Sequence, residues 1–162
     1  MIRLEDCVFE QLRSSADEAA FFAVMGRFFA SAVVRRECGG YPLNDGPLYR
    51  WFVVRRKDQM RVLGFISLEQ QSDLVRIREG YLRSEARGHG LFRMLRQQVL
   101  QYIDDLGLEC SMRAQRSCAT CLEPYGFQVR SARGSWVTLV RSRHATSGKT
   151  GAASRGSVPG VG

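Results

Sequence analysis

The feature that most constrains the fold is a glycine-rich turn, RGHG at residues 87–90, which lies between a strand pattern and a helix pattern. The strand pattern covers residues 74–82, and the helix pattern runs from Leu91 to Asp105. A further strand pattern follows at residues 108–114. Two strands joined by a crossover helix form a right-handed βαβ unit, so we predict that these two strands lie side by side and parallel.

Short connections constrain the other strands. Strand patterns cover residues 50–56 and 62–70, and the segments KDQM and QSD on either side of the second pattern have the length of hairpin turns. Such turns predict antiparallel neighbours in the sheet. We also predict a first strand in residues 6–12 and a closing hairpin in residues 126–141.

One long helix is predicted before these strands, in residues 14–40. Ser15 and Glu18 have the spacing of a capping box, and two glycines end the pattern. Apolar residues at helical spacing predict its buried face: Phe21, Met25, Phe28, Phe29 and Ala32. A short helix is predicted in SCATCLEP, residues 117–124. Together, the elements predict an α/β fold of the α+β kind, with a mixed sheet and helices on both faces.

We predict one folded domain in residues 1–141 and a flexible, basic tail rich in Gly and Ser in residues 142–162. The longest apolar run, Ala19–Met25, is too short to span a membrane, so no membrane partner is expected. The first residues lack the apolar block of a signal peptide, so we expect a cytoplasmic protein.

Five scattered cysteines predict reduced thiols, not a disulfide framework. Cys118 and Cys121 are three residues apart, but the sequence has no second pair of ligands to complete a zinc site, so no metal is predicted. The formal net charge of +8 suits an anionic partner, namely a nucleotide cofactor, a nucleic acid or an acidic protein. A merely soluble basic surface explains the charge equally well.

The glycine turn itself allows two interpretations. Gly88 and Gly90 allow positive φ, and the N–H groups at the start of the next helix would then form a cradle for a diphosphate. The alternative is an ordinary glycine turn before a helix. The segment is not a Walker loop, because no Lys-Ser/Thr follows its last glycine, and it has only one G-x-G of a dinucleotide fingerprint.

From this turn the chain resembles the GNAT superfamily of acyl-CoA-dependent N-acyltransferases, whose signature is Arg/Gln-x-x-Gly-x-Gly/Ala between a strand and a helix. RGHGLF matches it at Arg87 and Gly90. YLRSEA before it, AQRSCATCLEPYGFQV after it with Gly126-Phe127, and the hairpin WFVVRRKDQMRVLGFISLEQ are also similar to the family. The resemblance covers residues 15–141, in the family's order.

The resemblance implies an acyltransferase domain with a mostly antiparallel sheet, in which a central pair of parallel strands splays apart to admit acetyl-CoA. The pantetheine arm would pair with the backbone of Tyr81, Leu82 and Arg83. The diphosphate would bind the N–H groups of the turn, and the implied cradle consists of Arg87, Gly88, His89, Gly90, Leu91 and Phe92. Gln115 occupies the family's Asn position and retains an amide. No metal is implied.

Three positions depart from the family's pattern, and Gln115 in the Asn position is one of them. Phe92 stands where the glycine motif ends in a small residue, and Leu122 stands where the family has its general-acid Tyr. Leucine cannot donate a proton. Tyr125 is three residues further along and is the candidate replacement, with packing beside Phe127 as its alternative role.

The general base is also left open. Glu79 on strand 74–82 and Glu69 on the preceding strand are the nearest acids, and strict alternation places Glu79 on the face of Val75, Ile77 and Tyr81. A carboxylate on an apolar face needs a partner or a function. A salt bridge with a nearby arginine is the alternative to catalysis.

Three hypotheses follow. The first is an N-acetyltransferase that moves an acetyl group from acetyl-CoA to a primary amine by direct attack. The second is a nucleic-acid-directed protein of the same fold, which acylates an aminoacyl-tRNA or modifies a nucleobase. The third is a degenerate acyl-CoA-binding module. The basic charge favours a protein amine or an aminoacyl-tRNA over a small cationic amine, and a homodimer is a further possible assembly.

Overall fold

Seven strands make one sheet in the computed structural model, which describes residues 2–143. In chain order they are β1 (Cys7–Leu12), β2 (Tyr49–Arg56), β3 (Val62–Gln70), β4 (Leu74–Leu82), β5 (Glu109–Gln115), β6 (Gln128–Arg133) and β7 (Trp136–Arg141). Their order across the sheet is β1-β2-β3-β4-β5-β7-β6. Only the β4–β5 pair is parallel among the pairs of this sheet, which confirms the predicted βαβ unit and the mixed sheet.

Four α-helices accompany the described strands: α1 (Glu18–Ala30), α2 (Ala32–Glu37), α3 (Leu91–Leu106) and α4 (Ala119–Leu122). Short 3-10 turns flank α4 on both sides, so the predicted helix in SCATCLEP is a series of three short turns. The α3 helix begins at Leu91 as predicted and ends at Gly107, whose left-handed conformation caps it.

The single long helix predicted in residues 14–40 is wrong. Ser31 is extended, with φ −81° and ψ 123°, and its hydroxyl accepts a hydrogen bond from the Val34 N–H, so a second helix starts there. The first helix is capped by Asp17, whose carboxylate accepts from the Ala20 N–H at 3.0 Å, and not by Ser15. Ala32 is consequently exposed instead of buried.

Each face of the sheet carries its own apolar cluster. The α1 face holds Phe21, Met25 and Phe28 of α1 against Trp51 and Phe65 of the sheet, together with further residues of β2 and β3. The α3 face holds the buried side of α3 against residues of every strand of the sheet except β6. Helices therefore lie on both faces, as predicted, and each face packs against its own set of helices.

The parallel pair separates in the middle of the sheet. Pairing between β4 and β5 covers only Leu74–Ile77 against Glu109–Met112, although β4 continues to Leu82 and β5 to Gln115. Each strand stays paired with its other neighbour beyond that point. The splayed parallel pair that the family resemblance implied is thus present, and it leaves backbone of both strands facing an open slot.

A β-bulge in β4 coincides with this separation. Leu68 pairs with Ile77 and Ile66 pairs with Gly80, so Arg78 and Glu79 together stand opposite Ser67. An extra residue turns the strand and shifts the alternation of its side chains. The prediction that Glu79 and Tyr81 share a face with Val75 and Ile77 is therefore wrong.

The faces of these residues follow from their neighbours. Val75 and Ile77 pack in the α3-face cluster, whereas Tyr81 packs in the α1-face cluster. Glu79 also acts on the α1 face, because its charge contributes to the raised pKa of the Cys38 thiol there.

None of the described helices is both long enough and apolar enough to cross a membrane. The division into an acyltransferase domain of residues 1–141 and a tail stays a prediction, and the tail beyond Arg143 lies outside the described residues.

Candidate functional site

A cavity of about 410 Å³ lies between the end of β4 and the start of α3. Seven of the predicted cofactor-binding residues line it: Tyr81, Leu82, Arg87, Gly88, Gly90, Leu91 and Phe92. Glu37, Gly80 and Arg93 complete the lining. The structure therefore brings the strand end and the glycine turn together around one opening.

The two glycines of the turn have the conformations that require glycine. Gly88 has φ 81° and Gly90 has φ 79°, both in the left-handed region. Gly90 is the N-cap residue of α3, and no side chain caps that helix end. The first helical hydrogen bond runs from the Met94 N–H to the Gly90 carbonyl at 3.1 Å.

The N–H groups of residues 88–93 consequently have no acceptor among the described residues. These donors lie at the positive end of the α3 dipole and border the cavity. A helix start with uncapped donors binds phosphate oxygens well, because the donors and the dipole act on the same anion. The geometry of the turn fits the diphosphate of a coenzyme A molecule.

The Arg87 side chain is already engaged by neighbouring groups at the cavity. Its Nε donates to the Leu82 carbonyl at 2.9 Å, and its guanidinium pairs with the Glu37 carboxylate at 2.7 Å while lying 5.7 Å from the Tyr81 ring centre. Arg87 therefore ties the end of α2 to the end of β4. A direct phosphate contact from this side chain stays a prediction.

Glu37→Gln is expected to lower the Kd for CoA about two- to tenfold, because it removes a carboxylate from the cavity lining and releases Arg87 to face the diphosphate. Titration calorimetry at low and high salt measures the effect, which should shrink as salt rises. Glu85→Gln is the matched control, since Glu85 pairs with Arg61 and lies outside the cavity lining. Equal affinities for the two variants would contradict the expectation.

Phe92 forms the wall of the cavity on the α3 face. Its ring lies directly over Gly80, where a Cβ would come within 2.7 Å of the Phe92 Cζ. Arg96 covers Phe92 at 5.4 Å and Tyr125 at 5.2 Å from the ring centres. Gly80 is therefore required by close packing. Because Gly80 has no side chain, the Phe92 ring fills the space next to β4.

Tyr125 lies beside this wall, on the α3 face of the sheet. It is half-buried, and its backbone carbonyl accepts a hydrogen bond from the Arg141 Nε at 2.7 Å. Leu122, at the family's general-acid position, is 4% exposed and packs in the α3-face cluster. Tyr125 thus has a hydroxyl three residues after Leu122, and its ring contacts the same Arg96 guanidinium as Phe92.

Glu79 stands in the bulge, at the point where β4 leaves β5. Its backbone is held by buried Ser67, whose Oγ accepts from the Glu79 N–H at 3.1 Å and donates to the Glu79 carbonyl at 3.4 Å. Burial raises the pKa of the Glu79 carboxyl above its usual range, against opposing effects of Arg78 and Arg113. The side chain has no ion-pair contact within the described part of the chain.

A thiol lies near this carboxyl but is poorly suited to nucleophilic chemistry. The Cys38 thiol donates to the Gly80 carbonyl at 3.7 Å. Burial, with smaller contributions from Glu79 and Glu37, raises the pKa of Cys38 to about 12. A thiol that stays protonated at neutral pH is a weak nucleophile, so the arrangement favours direct attack on a thioester over an acyl-cysteine intermediate.

Three of the predicted cofactor-binding residues lie outside the cavity lining, as do the two catalytic candidates Glu79 and Tyr125. Arg83 donates from its Nε to the Val62 carbonyl at 2.9 Å and covers the Phe28 ring at 4.7 Å. His89 is half-buried within the glycine turn, and Gln115 is exposed at the end of β5, opposite Trp136. Their roles toward a cofactor stay predictions.

Sequence reasoning missed Glu37, Gly80 and Ser67. A glycine inside a strand pattern is a signal for a bulge or a close approach, so Gly80 could have been found. Glu37 and Ser67 carry no local signal, because their roles depend on partners far away in sequence. No group of three or more His, Cys, Asp or Glu side chains that could hold a metal ion occurs within residues 2–143.

No family model matches the chain, and no curated protein matches it either. Solved structures do match. An acyl-CoA N-acyltransferase from Pseudomonas aeruginosa superimposes with a TM-score of 0.66 at 18% identity, over 84% of this chain and 99% of that chain. The ribosomal-protein-S18-alanine N-acetyltransferase from Escherichia coli gives 0.62 at 13% identity, over 86% and 96%. The PaiA N-acetyltransferase from Thermoplasma acidophilum, solved in complex with coenzyme A, gives 0.55 at 16% identity, over 84% and 98%.

The chain therefore has the fold of the acyl-CoA-dependent N-acyltransferases, the GNAT fold that its motifs predicted. At these identities the likeness establishes the architecture.

Proposed function

We propose that the protein is an N-acyltransferase that moves an acetyl group from acetyl-CoA to a primary amine. The observation that carries this proposal is that two features line one cavity: the end of β4, past the point where β5 leaves it, and a row of acceptor-free N–H groups at the start of α3. The first suits an extended pantetheine arm, and the second suits a diphosphate.

The chemistry needs three groups. A base removes the proton of the attacking amine, hydrogen-bond donors stabilise the oxyanion that forms on the thioester carbon, and an acid or solvent protonates the leaving thiolate. Glu79 is the base in this proposal, because burial raises its pKa and it stands where the slot opens. Unpaired backbone N–H groups of β4 beyond Ile77 would donate to the oxyanion.

Tyr125 is the proposed acid for the departing CoA thiolate. Its ring shares the Arg96 guanidinium with Phe92, a residue of the cavity wall, and this neighbourhood supports the role. A CoA thiolate can also leave unassisted, so loss of the hydroxyl in Tyr125→Phe should slow the reaction without abolishing it. Acetyl-CoA supplies the acyl group when bound, and the residues of this chain orient it and handle the proton.

The direct test is incubation with isotopically labelled acetyl-CoA and a panel of amines, followed by mass spectrometry. Transfer of the label to an amine, with release of one CoA for each acyl group, supports the proposal. Labelled acetyl groups on the protein's own thiols and on no acceptor would point to a different reaction.

Gly90→Glu is expected to raise the Kd for CoA at least about tenfold, because it strains a left-handed residue and brings a carboxylate to the uncapped helix start. Gly107→Glu is a matched control: Gly107 is also left-handed, with φ 67°, and caps the other end of the same helix with open space around it. Both variants should lose similar stability, about 1–2 kcal/mol. Equal weakening of CoA binding by both would count against the cradle.

A catalytically inactive acyl-CoA-binding protein is the second candidate, and Leu122 favours it. The residue at the family's acid position is buried in the core, so it cannot reach the cofactor. Tight CoA binding that is abolished by Gly90→Glu, with no transfer to any amine, would establish this second function.

A further inference from the structure

Half of the α1 face of the sheet has no helix over it. The apolar cluster beneath α1 and α2 contains residues of β2, β3 and the end of β4, but none of β5, β6 or β7. On those strands, alternate residues that point away from the α3-face cluster are exposed or half-buried, among them Arg113 and Trp136. Glu79 lies at the border between the covered and the open half.

Arginines dominate this open half. Arg76 on β4 points away from its buried neighbours Val75 and Ile77, and Arg113 on β5 lies over the Trp136 ring at 5.4 Å. Arg133 on β6 pairs directly with Trp136 and therefore shares its face. Arg78 reaches the same face, because it opposes the rise in pKa that burial gives to Tyr49, a residue of the α1-face cluster.

We name these four side chains, Arg76, Arg78, Arg113 and Arg133, the arginine face. All four are exposed, and none has a carboxylate within ion-pair distance in the described part of the chain. Two of them, Arg78 and Arg113, act electrostatically on Glu79. Four cations without ion-pair partners beside a candidate base repel a cationic acceptor and attract an anionic one.

We propose that the acceptor is an acidic peptide, whose amine reaches Glu79 while carboxylates of neighbouring residues pair with the arginine face. This inference rests on the proposed acyltransferase function and adds the class of its substrate. Alternate residues of an extended peptide are about 7 Å apart and neighbouring strands about 5 Å apart, so arginines on β4, β5 and β6 lie within reach of alternate acidic side chains. Guanidinium groups also bind carboxylates through two parallel hydrogen bonds.

Two other occupants fit the face less well. Nucleic acids bind through base stacking as well as phosphate contacts, and the aromatic side chain that β5, β6 and β7 place here, Trp136, is already covered by Arg113. A second copy of this chain would bring the same four cations against each other across a two-fold axis. The charge of the face therefore favours an acidic polypeptide.

The test uses three peptides of one length with a free N-terminal amine, in which positions 2, 4 and 6 are all Glu, all Gln or all Lys. We expect acetylation rates, as kcat/KM, to fall in that order, with Glu over Gln by about tenfold. Arg133→Glu should abolish or invert this preference. Lys57→Glu, which makes the same charge change in the exposed β2–β3 turn, should leave the preference unchanged.

Arg133 is the chosen position because it does not influence Glu79, so a change in peptide preference cannot arise from the base. The conservative variant Arg133→Gln checks that the effect depends on charge if the first variant folds poorly. Equal kcat/KM values for all three peptides in the wild-type protein would overturn the proposal.

A binding arm separates this inference from the proposed function. Titration with a blocked Glu peptide that has no free amine measures affinity without catalysis. Binding that weakens in Arg133→Glu, without transfer to any peptide, would retain the arginine face and reject the acyltransferase. An RNA oligonucleotide of equal charge that binds more tightly than the peptide, or a dimer that masks the face in solution, would overturn the acidic-peptide proposal.

Discussion

Glu79→Gln is expected to lower kcat/KM about 100-fold or more at neutral pH, since the amide keeps the shape of the side chain and cannot accept the amine's proton. The side chain should stay in place, because Ser67 holds both the N–H and the carbonyl of Glu79. The KM for acetyl-CoA should change little, as Glu79 lies outside the cavity lining.

The pH profile gives a second readout. Activity needs the carboxylate form, so kcat/KM should fall as pH drops through the raised pKa of Glu79, and this acidic limb should be absent in the Gln variant.

The raised pKa of Glu79 also affects stability, because the folded state holds the proton of Glu79 more tightly than the unfolded chain does. The contribution of Glu79 to the free energy of unfolding therefore falls as pH rises through that window.

Loss of activity without loss of stability would mark Glu79 as functional. Above the window the Gln variant should be at least as stable as the wild type, because it has no buried charge to desolvate. Glu69→Gln is the control: Glu69 is an acid on the neighbouring strand that accepts from the Gln71 side chain at 3.2 Å. If both variants lose activity equally, or if Glu79→Gln keeps full activity, Glu79 is not the base.

Asp104→Ala is expected to give the largest loss of stability, about 3 kcal/mol. Arg141 is 1% exposed at the end of β7, and its guanidinium forms a two-point contact with the Asp104 carboxylate of α3, with Nη2 to Oδ2 at 3.1 Å. The substitution removes that counter-charge from a buried cation. Urea unfolding measures the change, and an unaltered m-value would show that cooperative unfolding is retained.

Asp105→Ala is the matched control on the same helix. Asp105 is exposed and accepts from Gln101 at 2.9 Å, one helical turn earlier, so its loss should cost only about 0.5 kcal/mol or less. Similar losses for the two variants would mean that the α3–β7 ion pair adds nothing beyond a surface contact.

Much of the fold could be predicted, because its strands obey simple local patterns. The bounds of β3 and β4, and the start of α3, coincide with the sequence prediction, since short turns and glycines mark them. The break at Ser31 could not be predicted from periodicity: no Gly or Pro occurs there, and apolar residues continue at helical spacing. The hydroxyl cap that starts α2 decides the boundary.

The candidate site also has one part that the local sequence predicts and one part that it does not. The glycine cradle is local, so its residues could be named from the sequence. The face on which Glu79 lies depends on an extra residue in β4, and the orientation of Arg87 depends on Glu37, which is 50 residues away. Such features depend on contacts between distant segments, so the alternation of apolar and polar residues in one strand cannot predict them.

The splay between β4 and β5 also has a thermodynamic consequence. Past Ile77 and Met112, the facing edges of β4 and β5 have no partner strand across the gap between them. An extended ligand in that gap completes the sheet, and the unfolded chain offers no equivalent site. Under the proposed function, the free energy of unfolding of the whole domain is therefore linked to the concentration of acyl-CoA and should rise as that concentration rises.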